Sequence, residues 1–478
     1  MNYVAGASRE QSLLFPEVID DYITPENPVR FIDAFVEELA LQELGFRHAT
    51  LPETGRPPYD PGDLLRLYVY GYLNRVRSSR RLEAEAQRNL EVVWLLRKLR
   101  PDFKTIADFR KDNGPAIKAV CRQFTLLCRK LELFGGELIA VDGSKFAAQN
   151  AKDRNFSQKK LKALLEEIDQ RIERYLGALA EADQGEEQAG GGTVPKASEL
   201  KEKIAALKDR QGRYRELFEG LEQSGESQVS LSDPDSRAMS QGAGVTVGYN
   251  VQAAVDAKHS LIVATDVTNT SSDSGELSGM AIKAQEALGV AKLAALADKG
   301  YYHGKEILAC DSVGITAYVA KPMTSANTAQ GLYGKERFTY EPERNVYVCP
   351  SGRELTYRFS TNEKGRPIHY YRASDCQSCE LRNLCTRNKA NRTITRLAFE
   401  EIQEAMAVRV QANPELMKRR KAIIEHCFGT IKRTLGYSYF LCRGFAKVKT
   451  ELSLTVLAYN LKRAINLVGV RAMIEALG

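Results

Sequence analysis

Residues 137–145 read Glu-Leu-Ile-Ala-Val-Asp-Gly-Ser-Lys, and the organisation of the whole chain can be worked out from them. Four apolar residues, Leu138 to Val141, follow a Gly-Gly turn, which favours a short buried strand over a helix. The strand ends at Asp142. A carboxylate where a buried strand opens onto a cleft is costly unless it binds something positive. The alternative is that Asp142 only caps the next turn.

A second acidic residue stands at the same kind of position further along the chain. Residues 293–297 form an apolar run that leads into Asp298, followed closely by Gly300. Between the two runs, alternating apolar residues over 244–267 predict a β-hairpin, and residues 275–288 predict a helix. Another short helix and a strand follow. This order predicts a mixed α/β sheet with acids at strand ends.

Three other aspartates compete for a place beside Asp142. Asp256 lies in the predicted hairpin turn, and Asp273 is predicted to cap the helix that follows. Asp266, late in its strand, is the one serious rival to Asp298.

A third candidate acid, Glu425, lies on a predicted helix that begins after Asn413-Pro414. One face of this helix is apolar, and basic residues surround the glutamate. These basic residues are Lys418, Arg420, Lys421, Lys432 and Arg433. Glu425 is therefore either one acid within a strongly basic surface or only an i, i+4 partner of Lys421.

Together, Asp142, Asp298 and Glu425 define the chemistry that the sequence predicts. Three carboxylates without neighbouring His or Cys ligands select Mg²⁺ or Mn²⁺ over zinc. Two such ions about 3.5–4 Å apart can activate a nucleophilic oxygen and stabilise the leaving oxygen of a phosphodiester. The basic residues around Glu425 would then bind the phosphates on either side of that bond.

The first part of the chain, up to about residue 134, is predicted to be helical. Asp60, Ser79 and Thr105 are predicted helix caps. Arginines around the helix start near Ser79, together with hydroxyls and free amides, make a good phosphate site. They are Arg75, Arg77, Arg80 and Arg81. The alternative is a solvated polar turn between two helices.

Two segments interrupt the part of the chain that bears the strands. In residues 151–230, apolar residues recur every seven positions on both sides of a glycine-rich linker, which predicts an antiparallel helical hairpin. In residues 331–394, four thiols fall close together in the sequence. They are Cys349, Cys376, Cys379 and Cys385. These thiols are predicted either to bind one structural Zn²⁺ or to be merely reduced cysteines.

The composition places limits on the class of protein. With 478 residues, 43% of them hydrophobic, the chain can bury a large core and form several domains. It has 68 Lys and Arg against 61 Asp and Glu, and the excess is clustered. No window approaches about 20 apolar residues, and the first residues lack a basic and then apolar leader. We therefore expect a cytoplasmic protein with no membrane partner, whose nine cysteines are reduced or bind metal.

These segments resemble the DDE transposases of bacterial insertion sequences, which have an RNase H-like catalytic core. The resemblance covers nearly the whole chain and rests on short motifs that are specific together. The motifs are RSSRRLE at 77–83, TIADFR at 105–110, VDGS at 141–144, DPDSRAM at 233–239, GYNVQ at 248–252, ADKGYY at 297–302, the cysteine segment, and IEHCFGTIK at 424–432.

The resemblance implies an α+β, mixed α/β architecture of four parts. These are a helical N-terminal DNA-binding domain at 1–134, an RNase H-like catalytic domain at 135–150 with 231–330 and 395–478, a coiled-coil helical hairpin at 151–230, and a Cys-rich, zinc-ribbon-like insert at 331–394. It also implies that Asp142, Asp298 and Glu425 are the metal-binding triad.

A related Tyr-Arg-Glu-Lys signature surrounds the glutamate in this family. Lys432 matches its lysine. Lys421 and Lys418 stand where the arginine and the tyrosine are expected, and Arg420 is the candidate substitute for the arginine if the helix is slightly rotated.

The implied activity is cleavage of double-stranded DNA at the element's terminal inverted repeats and joining of the freed 3′-hydroxyl to target DNA. A homodimer on DNA is expected, in the bacterial cytoplasm and at the nucleoid when bound. Two alternatives remain: an RNase H-like nuclease without strand transfer, and a non-catalytic DNA-binding protein that uses the basic helices and a zinc module.

Overall fold

A computed structural model describes residues 18–51, 57–150, 152–188, 194–242, 244–322, 326–363 and 366–478. Its first part contains six α-helices. They are α1 (Pro28–Glu37), α2 (Pro61–Leu73), α3 (Ser79–Arg88), α4 (Leu90–Leu95), α5 (Phe103–Asp112) and α6 (Gly114–Lys130). None of the helices in the described residues is both long and apolar enough to cross a membrane.

The caps of these helices only partly follow the prediction. Asp60 caps α2 as predicted, because its side chain accepts a hydrogen bond from the Gly62 amide at 2.6 Å. The predicted cap at Thr105 is wrong. Asp102 caps α5 instead and accepts hydrogen bonds from the amides of Lys104 and Thr105. Ser79 is not a cap either, because α3 already begins there.

A mixed sheet forms the centre of the molecule, confirming the predicted mixed α/β class. Its strands are β1 (Leu138–Ala147), β4 (Arg237–Gln241), β5 (Gly244–Asp256), β6 (Ile262–Thr268), β7 (Leu293–Ala297) and β8 (Ile315–Val319). The strand order is β4-β5-β1-β7-β8, and β6 also pairs with β5. Strand β1 is antiparallel to β5 and parallel to β7, which is parallel to β8. The predicted hairpin is β5 with β6.

Helices cover both faces of this sheet because successive strand residues point to opposite sides. Ala140 and Phe146 of β1 share a core with the first six helices, with α14 (Pro414–Gly429) and with α15 (Phe445–Glu475). The opposite face packs on three other helices. They are α9 (Leu277–Leu288), α10 (Gly304–Ser312) and α13 (Glu400–Ala412).

Two long helices, α7 (Gln158–Gln188) and α8 (Val194–Ser224), extend from the sheet after β1. Leu161, near the start of α7, packs with Leu221, near the end of α8, so the two helices run antiparallel. At their base, β2 (Asn155–Ser157) pairs antiparallel with β3 (Gln228–Ser230).

The cysteine segment has a separate five-stranded antiparallel sheet with a small core of its own. Its strands are β9 (Thr339–Glu341), β10 (Val346–Val348), β11 (Glu354–Glu363), β12 (Arg366–Ala373) and β13 (Thr393–Leu397). Two short helices accompany it, α11 (Ala326–Ala329) and α12 (Arg382–Cys385).

Candidate active site

Asp142 and Asp298 lie on neighbouring parallel strands, but the prediction that the first strand ends at Asp142 is wrong. Strand β1 continues to Ala147, because its second half stays paired with β5, whereas β7 ends at Ala297, directly before Asp298. Ala140 of β1 is opposite Leu296 of β7, and each aspartate comes two residues further along its chain. Since neighbouring strands lie about 4.8 Å apart, the two carboxylates belong to one edge of the sheet. The structure thus brings these two predicted residues together.

The environment of Asp142 disfavours its negative charge. Its side chain is only 26% exposed. Burial raises the pKa of Asp142 to about 6, opposed by Arg420 and the Gly143 amide, and the nearby charge of Asp298 adds to the rise. A shared cation would relieve the repulsion between the two carboxylates that contributes to this rise at Asp142.

Helix α14 is attached to β1 at two points on the face that carries Asp142. Arg420 donates a hydrogen bond from Nη1 to Asp142 Oδ2 at 3.2 Å. One helical segment later, Lys432 Nζ donates to Ser144 Oγ and to the Lys145 carbonyl, both at 2.6 Å. Burial and the charge of Lys145 lower the pKa of Lys432 to about 8. Both basic side chains are thus used to hold the helix against the strand.

A π-helical segment, Thr430–Thr434, carries Lys432. Such segments are rare and occur often at functional sites. The extra residue per turn changes the phase of the helix between Phe428, which packs near the Phe146 ring, and Lys432, which lies over the same ring.

Glu425 lies on α14 between these attachment points and is exposed to solvent. It stands three residues before Phe428, which places it on the same side of the helix. Among the residues that the structure describes, no group of three or more His, Cys, Asp or Glu side chains is placed to hold a metal ion. The structure therefore does not bring Glu425 into one cluster with the two aspartates.

The basic residues predicted around Glu425 divide into two groups. Lys418, Lys421 and Arg433 are exposed. Arg420 and Lys432 are turned inward, so Arg420 occupies the position next to Asp142.

Arg77 is a correction to the predicted phosphate site. It is buried, donates to the Tyr439 carbonyl at 2.7 Å and to Glu451 Oε1 at 3.2 Å, and stacks on the ring of Tyr437. Because its guanidinium already has these partners, Arg77 is not available to a DNA phosphate. Its neighbours Arg75, Arg80 and Arg81 are exposed.

The rival Asp266 is engaged in a different set of contacts. Lys283 and Lys449 both form ion pairs with it. Burial acts to raise the pKa of Asp266, but hydrogen bonds from the two lysines lower it to about 2. Asp266 is thus neutralised by the protein itself.

Asp273 does not serve as the helix cap that the sequence predicts. Its Oδ1 atom accepts hydrogen bonds from Asn250 Nδ2 at 2.6 Å and from Gln252 Nε2 at 2.7 Å. Gln252 in turn accepts a hydrogen bond from the Tyr301 hydroxyl. The sequence reasoning gave these four residues no role in the site, although Asn250, Gln252 and Tyr301 lie in two of the quoted motifs.

The four cysteines of the small sheet line one cavity of about 20 Å³. Cys349 Sγ and Cys379 Sγ lie 3.1 and 3.5 Å from Ser351 Oγ. Burial raises the pKa of the Cys385 thiol, Arg392 opposes this, and the other three cysteines add to the rise. The thiols are therefore close enough to influence one another, although they do not form a metal-binding group as placed.

Two family models match the chain. The one described as a transposase DDE domain matches residues 348–465, and the one described as a transposase domain (DUF772) matches residues 17–112. Glu425 lies inside the first match, whereas Asp142 and Asp298 lie outside both. No curated protein matches the chain.

One matching solved structure is a piggyBac transposase synaptic complex with hairpin DNA, determined by cryo-EM. The sequences are 7% identical, the TM-score is 0.32, and the match covers 95% of this chain and 79% of that chain. A similarity at this level does not define a shared fold.

Both family descriptions name a transposase, one at each end of the chain, and this defines the class of protein. The two matches support a DDE transposase, an enzyme of the endonuclease and transferase type.

Proposed function

We propose that this DDE transposase belongs to a bacterial insertion sequence, cuts DNA at the ends of its element and joins the freed 3′-hydroxyl to target DNA. Asp142, Asp298 and Glu425 are its acidic triad. The observation that supports the proposal is the register of β1 and β7, in which Ala140 is opposite Leu296 and each aspartate comes two residues further along its chain.

The catalytic core that we propose as RNase H-like is the sheet β6-β5-β1-β7-β8. Three antiparallel strands are followed by two parallel ones, with helices on both faces. Asp298 directly follows the end of β7, and Asp142 lies on β1 two residues beyond its last partner in β7, so both are near the end of the parallel pairing, where α/β proteins place ligands.

The two aspartates suit a hard divalent cation because they are oxygen ligands whose charges oppose each other. We assign Asp142, Asp298 and Glu425 as ligands of two Mg²⁺ or Mn²⁺ ions. When bound, such a pair supplies Lewis acidity at the phosphate. Glu425 is exposed beside the site. To reach the metal ions, its side chain must change its rotamer or helix α14 must move when metal and DNA bind.

The protein's own residues prepare this site. The positive charge of Arg420 lowers the pKa of Asp142 from the value that burial alone would give, so more of the carboxyl is ionised at neutral pH. Lys432 fixes Ser144 and with it the direction of β1 beyond Asp142.

The proposed reaction has two displacements at phosphorus. Water attacks the phosphodiester at the end of the element, a new P–O bond forms, and the bond to the 3′ oxygen breaks to give a 3′-hydroxyl after protonation. That hydroxyl then attacks a target phosphodiester, forming the joining P–O bond and releasing a 3′-hydroxyl of the target strand.

We propose that DNA is held by exposed basic residues on both sides of the site. They are Arg75, Arg80, Arg81, Lys418, Lys421 and Arg433. Residues 1–134 would bind the terminal inverted repeats, and residues 135–150, 231–330 and 395–478 would carry the catalysis. Joining two ends requires that they be held together, so we propose a homodimer on DNA with contacts through α7 and α8.

We also propose that the cysteine insert at 331–394 binds one structural Zn²⁺. The four thiols surround a cavity with room for about one water-sized particle. Four thiolates favour tetrahedral zinc over the hard cations proposed for the aspartates. A modest inward shift of the side chains would be needed to complete the coordination.

A strand-transfer assay with pre-cleaved element ends tests the proposal. The wild-type protein should join labelled ends to target DNA only with Mg²⁺ or Mn²⁺. Asp142→Asn and Asp298→Asn should lower cleavage and joining by about 10³-fold while leaving DNA binding intact. Asp311→Asn, at an exposed position in α10, is the matched control and should remain active. Cleavage without joining would identify a nuclease, and no divalent-dependent turnover would contradict the proposal altogether.

A further inference from the structure

We infer that Asp273 is a positioning residue, which holds the loop that carries Asp298 through Gln252 and Tyr301. This inference rests on the proposed function of Asp298 and adds to the site a fourth acid that does not touch substrate or metal.

The first link joins Asp273 to Gln252. A carboxylate only accepts hydrogen bonds, so Gln252 must turn its amide nitrogen towards Asp273 Oδ1, at 2.7 Å. The Gln252 Oε1 atom therefore points the other way. Gln252 is fully buried, and the amide has no water with which to exchange these partners.

The second link joins Gln252 to Tyr301. The Tyr301 hydroxyl donates to Gln252 Oε1, and this acceptor is present only because Asp273 fixes the orientation of the amide. Tyr301 is also fully buried, so an unpartnered hydroxyl there would be costly.

The third link is the turn from Asp298 to Tyr301. Asp298 Oδ1 accepts a hydrogen bond from the Gly300 amide at 2.7 Å, and residues Lys299–Tyr301 form a single 3₁₀ turn. Tyr301 is the buried residue of this turn, whereas Lys299 and Gly300 are exposed. The hydroxyl of Tyr301 is thus an anchor for the backbone that presents Asp298.

The same polar pair also contacts the backbone beside Asp142. A Cβ atom added at Gly143 would lie 2.5 Å from Gln252 Nε2 and 2.7 Å from Asp273 Oδ1. The network therefore lies directly behind the residue that follows Asp142 and contacts the backbone segments that carry both aspartates.

Groups that fix metal ligands from behind typically change metal affinity or activity by 10–100-fold when they are removed. We expect Asp273→Ala, which removes the acceptor of Gln252, and Tyr301→Phe each to raise the Mn²⁺ concentration needed for half-maximal strand cleavage by about 10-fold. The double variant should be no worse than the more severe single variant, because both changes break one chain of contacts. If the two substitutions instead caused independent structural defects, their effects on this Mn²⁺ concentration would add in the double variant.

Amide hydrogen exchange measures the positioning itself and does not require cleavage. On the full-length protein, residues 299–302 should exchange at least several-fold faster in Asp273→Ala and in Tyr301→Phe than in the wild type. Asp256→Ala is the matched control, since Asp256 is also a hydrogen-bonded aspartate of the same sheet but accepts from the amides of Gly135 and Gly136 and not from Gln252 or Tyr301.

Unchanged exchange at 299–302 in both variants would overturn the inference, whether or not the protein cleaves DNA. Additive effects in the double variant would overturn it as well. If the variants differ from the wild type in exchange as predicted but the wild type never cleaves DNA, the proposed function is contradicted and the positioning role stands.

Discussion

Arg420 donates a hydrogen bond to Asp142 across 278 positions of the chain, joining helix α14 to the strand at the centre of the sheet. This ion pair sets the charge of the candidate metal ligand, because Arg420 opposes the rise in pKa that burial causes at Asp142. The pair also fixes the helix that carries Glu425.

Replacing Arg420 by glutamine should therefore shift the acid limb of the pH–activity profile. Without the guanidinium, the pKa of Asp142 rises above about 6, so a higher pH is needed to ionise it. The measurement is the rate of DNA cleavage as a function of pH. It is made at limiting Mg²⁺, because the rate then reports the ionisation of the metal-free enzyme. Arg419→Gln changes an exposed neighbour and should leave the limb in place. An acid limb that stays fixed in Arg420→Gln would show that Asp142 does not control it.

Asp142→Asn should stabilise the metal-free protein at neutral pH. The folded-state pKa of about 6 lies above the ordinary value of 3.8, so the folded protein binds more protons between these values. The free energy of unfolding consequently falls as the pH rises through about 4–6. The difference corresponds to an upper limit of about 3 kcal/mol, part of which is offset because Arg420 loses its charged partner.

Denaturant unfolding of the wild type and of the Asp142→Asn variant at pH 4 and pH 7.5 tests this. The gain in the variant should be largest at pH 7.5 and absent at pH 4. Mg²⁺ should stabilise the wild type but not the variant, because only the wild type retains the carboxylate pair. A gain that is equal at both pH values would contradict the assignment of the pKa.

Gly143→Ala should destabilise the protein by about 1–3 kcal/mol, as overpacking in a filled site usually does. The new Cβ would lie under 3.0 Å from atoms of three side chains, Gln252, Asp273 and Asn250. Gly279→Ala in helix α9 is the opposite case. Nothing lies within 4 Å of a Cβ there, and helix propensity should give a gain of up to about 1 kcal/mol. Thermal unfolding of the two variants should show shifts of opposite sign.

Zinc should be present in the purified protein at about one ion per chain if the cysteine proposal holds. Elemental analysis of Cys376→Ser should show its loss, with a lower unfolding temperature that a chelator reproduces in the wild type. Cys121→Ser, in helix α6, should retain the zinc. A wild-type protein that contains no zinc and unfolds at the same temperature with and without chelator would contradict the zinc proposal and show that the four cysteines are merely reduced.

Removing α7 and α8 should separate cleavage from end pairing. Because β2 and β3 pair antiparallel, Ser157 can be joined to Gln228 by a two-residue Asn-Gly turn. Phe156→Ser should be included, since Phe156 packs on the deleted helices. Single-end cleavage should persist, whereas complexes that hold two DNA ends of different length should disappear. A deletion variant that still pairs two ends would exclude the hairpin as the dimer contact.

The site was predictable to the extent that its signals are local in sequence. Asp142 and Asp298 each follow an apolar run and precede a nearby glycine, and this was enough to place Asp298 directly after a strand. It was not enough for Asp142, because β1 continues to Ala147 through its pairing with β5. Asp60 was likewise recognised as a cap because its partner lies two residues away. Thr105 is not a cap because the helix already begins at Phe103, where Asp102 accepts hydrogen bonds from the amides of Lys104 and Thr105.

The remaining features depend on partners that are distant in sequence. Arg77 is buried because it meets Glu451, 374 positions away, and an isolated basic motif gives no sign of that. Asp273 could be assigned only once the sheet register placed Asn250 and Gln252 beside it. The direction of Arg420 depends on how Ile423 and Ile424 of α14 pack into the core, which fixes the helix rotation.

Iron-directed cleavage of the protein backbone tests the central claim most directly, because Fe²⁺ in place of Mg²⁺ generates radicals that cut the chain beside the bound ion. On the DNA-bound transposase we predict cuts near residues 142, 298 and 425, all lost in Asp142→Asn. Cuts near 142 and 298 without one near 425 would contradict the assignment of Glu425, and no cut at any of the three would contradict the site itself.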